Sequence, residues 1–205
     1  MNMSSTQIID ERRTTNLFDA SRTLRDEQIR DLVTRATTAP TSFNLQNWRF
    51  IAVRTSEDKS RLRKISWDQV KITDAAVTFI IVGQLADYTT IPERLAPLVS
   101  AGIMPPEMVA GWEGAAKGLY HEQPQRQRDE AVRTATFGAS TLIYAAQAAG
   151  LGSAPMIGFD AEAVANEFKL AADEIPVMLL AIGYAMPENW PRKPRRPLAE
   201  VLQFV

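Results

Sequence analysis

Cysteine is missing altogether from the 205-residue chain, and histidine occurs once, at His121. The first absence excludes disulfides, thiol nucleophiles and thiolate-ligated metals, and it suits a reducing compartment. The second excludes a multi-histidine zinc site built within one chain. An excess of either charge is lacking too: 23 Lys and Arg face 24 Asp and Glu, so no broad field draws the protein to nucleic acid or an anionic membrane. Any anion it binds has to be met by a local cluster. The most apolar stretches, 75–83 and 175–185, are too short to span a bilayer as helices, and the opening MNMSSTQIIDERR has neither the basic region nor the apolar run of a signal peptide. The expectation is a cytoplasmic protein with no membrane or nucleic-acid partner. There is also no Walker loop, no G-x-G-x-x-G after a strand and no G-x-S-x-G elbow, which removes the usual support for hydrolase and nucleoside-triphosphate chemistry.

What remains is ordinary globular material, 45% hydrophobic and 23% charged, of a length that fits a single domain over residues 1–205. Residues 1–10 are polar and read as a loose start. Apolar residues at Ile29, Leu32, Val33 and Ala36 share one face of a helix from Asp26 to Thr38, which Pro40 ends by biasing Ala39 out of the helical region. Arg49 to Arg54 is aromatic and β-branched, hence a strand, and Ser56 opens the next helix. The runs 75–83 and 175–185 are continuously apolar, as strands buried on both faces are. Between them, residues 86–125 are rich in Pro, Gly, Met and aromatics and read as short helices and loops in an excursion over the core, with His121 a solvated member. A long helix with many small residues follows from Arg128 to Ala149, stopped by Gly150 and Gly152. Residues 153–160 make a tight apolar crossing, and Asp160 caps a helix to about Leu170.

Three polar clusters stand out. Arg12-Arg13-Thr14-Thr15-Asn16 offers planar guanidinium forks beside short hydroxyl donors, which suits a phosphate as well as a solvated turn. Residues 40–47 place Thr41, Ser42, Asn44, Gln46 and Asn47 in a loop between a helix and a strand, where capped turns and binding groups both occur. The tail from 186 to 205 carries Arg192-Lys193-Pro194-Arg195-Arg196, a dense basic run stiffened by proline, either a solvated tail or an anion clamp.

Together these pieces resemble the FMN-dependent nitroreductase family, over about Asp10 to Val201. The family's opening Arg-Arg-Ser-x-Arg/Lys motif is matched by residues 12–16. Its Ala-Pro-Ser-Ser-x-Asn-x-Gln-Pro-Trp motif is matched by Ala39-Pro40-Thr41-Ser42-Phe43-Asn44-Leu45-Gln46-Asn47-Trp48. The resemblance implies an α+β, three-layer fold, a central mixed sheet flanked by helices, in a domain-interlocked homodimer. It implies that Arg12 and Thr14 with Lys193 and Arg195 hold the FMN phosphate, and that Arg13 and Asn16 are also among the cofactor-binding residues. Gln69 and Lys71, within Asp68-Gln69-x-Lys71, would lie along the pyrimidine edge, and Pro155, Met156, Ile157 and Gly158 would cross the ring and offer a backbone N–H to N5. Thr41, Ser42 and Asn44 would reach the flavin of the partner subunit, and Pro40 beside them is also counted as cofactor-binding.

The chain departs from the pattern at Asn16, where Arg or Lys is common, at Asp68, usually Asn, and at Ile157, Glu in the best-known branch. The implied activity is a ping-pong oxidoreductase in which NADPH or NADH reduces FMN and a small flat acceptor, nitroaromatic or quinone, takes the electrons. Since FMN carries the chemistry, no catalytic side chain and no metal are called for. Other flavin chemistry on the same fold, such as dehalogenation or oxidation, is an alternative, as is a flavin-binding sensor or carrier without turnover. An interaction protein without cofactor is a third reading.

Overall fold

A computed structural model describes residues 4–205; residues 1–3, the beginning of the segment expected to be loose, lie outside the described residues. The remainder of that segment is helical. Helix α1 (Ser5–Glu11) is started by a capping box in which Ser4 and Gln7 satisfy each other's backbone N–H, and it buries none of its residues. The chain continues through α2 (Asp26–Ala36), β1 (Trp48–Val53), α3 (Ser56–Lys64), α4 (Lys71–Asp74), β2 (Val77–Gln84), α5 (Ile91–Ser100), α6 (Met108–Tyr120), α7 (Pro124–Ala148), β3 (Gly152–Met156), α8 (Ala161–Glu167) and β4 (Glu174–Gly183). Single 3₁₀ turns lie at Ser42–Asn44, Tyr88–Thr90 and Leu198–Glu200.

The sheet has the order β1-β2-β4-β3. All its strand pairs are antiparallel, with Ala52 opposite Phe79, Phe79 opposite Leu180 and Ala154 opposite Ala181. The expectation of a mixed sheet is corrected accordingly: among the described residues the parallel component is one isolated bridge, Thr14 to Ser153. Both long strands are buried on two faces. Val77, Phe79, Ile81, Leu180 and Ile182 point into one core with α2 and α7, and Ile80, Val82, Leu179 and Ala181 into another with α3, α4 and α8. The alternation of pleat side explains why these strands read as unbroken apolar runs, and the result is the expected three layers. Each fully buried Leu, Ile or Phe contributes about 1.5–3 kcal/mol.

The long helix begins a turn earlier than expected, with Pro124 in its first turn, where a missing N–H costs nothing. Alanines 131, 135, 139, 145 and 146 are buried along it, so it approaches the sheet closely. Thr55 rather than Ser56 caps α3, accepting from Asp58 N–H. Residues 153–156, expected as a crossing, are instead most of the edge strand β3. Pro155 is tolerated there because an edge strand leaves one side of the ladder unpaired. The 86–125 excursion is α5 and α6 closed over a third apolar cluster of Leu45, Ile91, Leu95, Ala116 and Tyr120. No described helix is long and apolar enough to cross a membrane.

Candidate active site

The edge strand β3 collects segments far apart in sequence. Thr15 N–H donates to Ser153 C=O at 2.9 Å, which lays the Arg12–Asn16 stretch beside β3. This contact needs Gly152, since a Cβ there would stand 2.3 Å from Thr15 Oγ1. Asn189 then binds the tail to the same stretch. Its Oδ1 accepts from the N–H groups of Asn16 (2.6 Å) and Leu17 (3.0 Å), and its Nδ2 donates to the carbonyls of Leu17 (2.7 Å) and Met186 (2.8 Å).

The outcome is one cleft in which Arg12, Arg13, Thr14 and Asn16 face Arg192, Lys193 and Arg195, with Trp190 and Pro191 completing the wall. It contains no carboxylate, and Arg12, Lys193 and Arg195 enter no ion pair among the described residues. A second cleft of about 490 Å³ adjoins it, with Arg13 and Arg192 lining both. Lys71, at the start of α4, is half-buried. Burial, and after it the charge of Lys193, lower its ammonium from the ordinary 10.5, which places Lys71 within electrostatic reach of the tail. Cations held near one another without an acidic partner are a site for an anion.

Gln69 and the turn after β3 meet directly. Gln69 Nε2 donates to Gly158 C=O at 2.8 Å and to Ser66 C=O at 3.3 Å, so both amide hydrogens are used and Oε1 is left to accept. Gly158 is again needed for close approach: a Cβ would lie 2.7 Å from the Trp67 ring. Beside this contact, Trp67 and Ile157 are 77% and 82% exposed, two large apolar side chains flanking the polar edge. Trp67 and Asp68 both hold left-handed backbone, φ 51° and 52°, a conformation that costs about 1 kcal/mol or more in non-glycine residues and gathers at functional sites. Asp68 turns its carboxylate to Arg63 at 2.6 Å, while Gln69 faces the Gly158 turn.

The 40–44 loop is held elsewhere. Its polar groups engage Gln46, Arg94 and Tyr120: Thr41 Oγ1 accepts from Gln46 N–H at 3.2 Å, Asn44 Nδ2 donates to Arg94 C=O at 3.2 Å, and Ser42 Oγ lies 2.9 Å from Tyr120 Oη. None of these partners lines the basic cleft, and Pro40 is exposed. Within one chain, then, residues 12–16, 69–71, 155–158 and 193–195 converge by way of β3, and the 40–44 loop stands apart on α5 and α6. Sequence reasoning passed over Asn189, the fastener between the two basic segments. Its only local signal was an amide residue at the start of a proline-rich run.

A family model described as the nitroreductase family matches residues 9–184. The chain belongs to the nitroreductase family. The protein DrgA of Synechocystis is 35% identical over 181 residues, covering 88% of this chain and 84% of that protein. YodC of Bacillus subtilis, assigned as an NAD(P)H nitroreductase, is 30% identical over 169 residues, 82% of this chain and 83% of YodC. Among solved structures, an Exiguobacterium sibiricum protein, assigned as a nitroreductase and crystallised in complex with FMN, superposes with a TM-score of 0.91 at 25% identity over 99% of this chain and 98% of that one. The nitroreductase-family fold accounts for the helix–sheet–helix layering.

Proposed function

We propose that this nitroreductase-family protein is an FMN-dependent NAD(P)H oxidoreductase. The observation that carries the reading is the acid-free cleft where Arg12, Thr14, Lys193 and Arg195 converge, with Lys71 within electrostatic reach of Lys193 and, two residues before it, Gln69 bonded to the Gly158 turn that the exposed Trp67 and Ile157 flank. That is the donor set of a phosphate next to an apolar surface for a flat ring, and a relative of this fold was crystallised with FMN. Arg12, Arg13, Thr14, Asn16, Lys193 and Arg195 hold the phosphate. Hydrogen bonds to charged groups contribute about 1.5–3 kcal/mol each, so three or four supply much of the roughly 8 kcal/mol of micromolar binding. Gln69 Oε1 accepts from the ring edge, and Lys71 offsets negative charge there. Pro155, Met156, Ile157 and Gly158 support the ring from the end of β3.

When bound, FMN supplies the hydride chemistry, taken up from NADPH or NADH and passed to a small flat acceptor such as a quinone or nitroaromatic. The protein acts as a homodimer. Supporting this are Phe137 and Tyr144 on α7, 47% and 37% exposed, and the apolar tail residues Leu198, Val201 and Phe204, surface that one chain leaves uncovered. Pro40, Thr41, Ser42 and Asn44 then complete the site of the partner, which agrees with their lying away from their own cleft. A cysteine-free chain suits the cytoplasm.

Initial rates measured with NADPH or NADH against a quinone test the reading. Parallel double-reciprocal lines, and activity lost on removing FMN and restored by adding it, are the expected result. FMN binding without turnover with either nucleotide would favour a sensor or carrier.

A further inference from the structure

Ser42 is tied to the interior by a line of hydrogen bonds that the cleft itself does not require. Its Oγ lies 2.9 Å from the Tyr120 hydroxyl, and that hydroxyl lies 3.1 Å from Glu130 Oε2. The same carboxylate accepts from the Arg133 guanidinium and, at 3.3 Å, from the Thr134 hydroxyl. Tyr120 and Glu130 are 4% and 5% exposed. A carboxylate is tolerated at such depth because donors and an opposite charge surround it.

The direction of every proton along the line follows from these partners. A carboxylate paired to a guanidinium only accepts, so the Tyr120 O–H points to Glu130. A phenol has one hydrogen, and toward Ser42 its oxygen therefore accepts and Ser42 donates. Burial above all holds the Tyr120 phenol above its ordinary 10.0, so the hydrogen stays in place through the neutral range. With its own hydrogen committed inward, Ser42 offers only lone pairs outward. The loop has little freedom to undo this. Phe43, Asn44 and Gln46 are left-handed, φ 50°, 55° and 49°, and the Phe43 ring stands edge-on to Tyr120 at 6.4 Å and to Trp112 at 6.1 Å.

We propose that Tyr120, backed by Glu130, is a positioning residue that fixes Ser42 as a hydrogen-bond acceptor, and that Ser42 thereby recognises an N–H or O–H of the FMN held by the partner subunit. The inference rests on the two-chain FMN site proposed above. A ligand group that can only accept meets an oxygen lone pair at this position and is disfavoured, so the loop selects by polarity as well as by shape.

The test is FMN titration, followed by quenching of flavin fluorescence, into apoprotein of the wild type, Tyr120→Phe, Ser42→Ala and the double variant, each with a thermal melt. Tyr120→Phe keeps the ring and its edge contacts. Ser42→Ala weakens FMN binding about three- to tenfold, and Tyr120→Phe about two- to fivefold, the scale of one net hydrogen bond. The double variant binds no more weakly than Ser42→Ala, because both changes remove the same fixed acceptor. A Tyr120→Phe protein with wild-type FMN affinity, or two effects that multiply in the double variant, overturns the proposal while leaving the FMN site standing. A wild type that binds no FMN overturns both.

Discussion

Replacing Asn189 should loosen the cleft without touching any group that faces it. The side chain is 8% exposed and makes four hydrogen bonds, two accepted from the N–H groups of Asn16 and Leu17 and two donated to the carbonyls of Leu17 and Met186. At a net of about 0.5–1.5 kcal/mol each the set amounts to about 2–6 kcal/mol. Leu17 and Met186 are themselves partly exposed, so water recovers some of this, and Asn189→Ala should destabilise by about 2–3 kcal/mol. For a domain of this size that lowers Tm by about 4–12 °C. Asn189→Asp is a sharper probe. It is nearly isosteric and keeps the two accepted bonds, yet it sets a carboxylate oxygen against two carbonyl oxygens, so it should be at least as damaging as alanine. Thermal and urea unfolding give the stability, and limited trypsin digestion reports release of the tail at its exposed Arg192 and Arg195, the basic residues of the run that no proline follows. An Asn189→Ala protein melting within about a degree of wild type, or an aspartate variant clearly milder than alanine, would refute the fastening role.

Arg12→Ala and Arg195→Ala should each weaken FMN binding by about 10- to 150-fold, the equivalent of one charged hydrogen bond, and the wild-type affinity should fall with added salt; equilibrium dialysis checks both. Lys71 has its value lowered in the fold, so below 10.5 the unfolded chain binds more protons there than the native protein does. Apoprotein stability should therefore rise with pH as Lys71 loses its proton, and anion affinity should decline over the same window; Lys71→Gln should remove both slopes in urea melts and FMN titrations. Gly152→Ala would force a Cβ to within 2.3 Å of Thr15 Oγ1 and should cost about 1–3 kcal/mol, measured by urea unfolding, together with FMN affinity, because it separates residues 12–16 from β3.

Much of the scaffold was legible because its signals are local. The strands β2 and β4 are written as apolar runs, α2 as an amphipathic face, and the end of α2 as Pro40. Strand β3 was not legible: Gly-Ser-Ala-Pro-Met has no β-branched residue and no alternation, and it becomes a strand only because β4 offers it a ladder. Helix α1 was taken for loose chain because it has no apolar face and stands on its capping box. The strand directions expected from the resemblance were partly wrong for a topological reason, since every named strand pair here is antiparallel. At the site, the residue types of 12–16 and 193–195 suggested an anion, and what the structure adds is that the two segments line one cleft. Asn189 and Tyr120 stayed hidden, since their roles come from partners distant in sequence, Asn16 and Leu17 for the first and Ser42 for the second, and Glu130 with them, since it reaches Ser42 only through Tyr120. The left-handed turn at Trp67 and Asp68 carries no glycine to mark it.

The most direct test of the central claim is the visible spectrum of the FMN-loaded protein, recorded without oxygen before and after adding NADPH or NADH. The expected result is a flavin band that bleaches on addition of at least one nucleotide and returns when a quinone is supplied. Failure of added FMN to bind, or a bound flavin that neither nucleotide reduces, would contradict it.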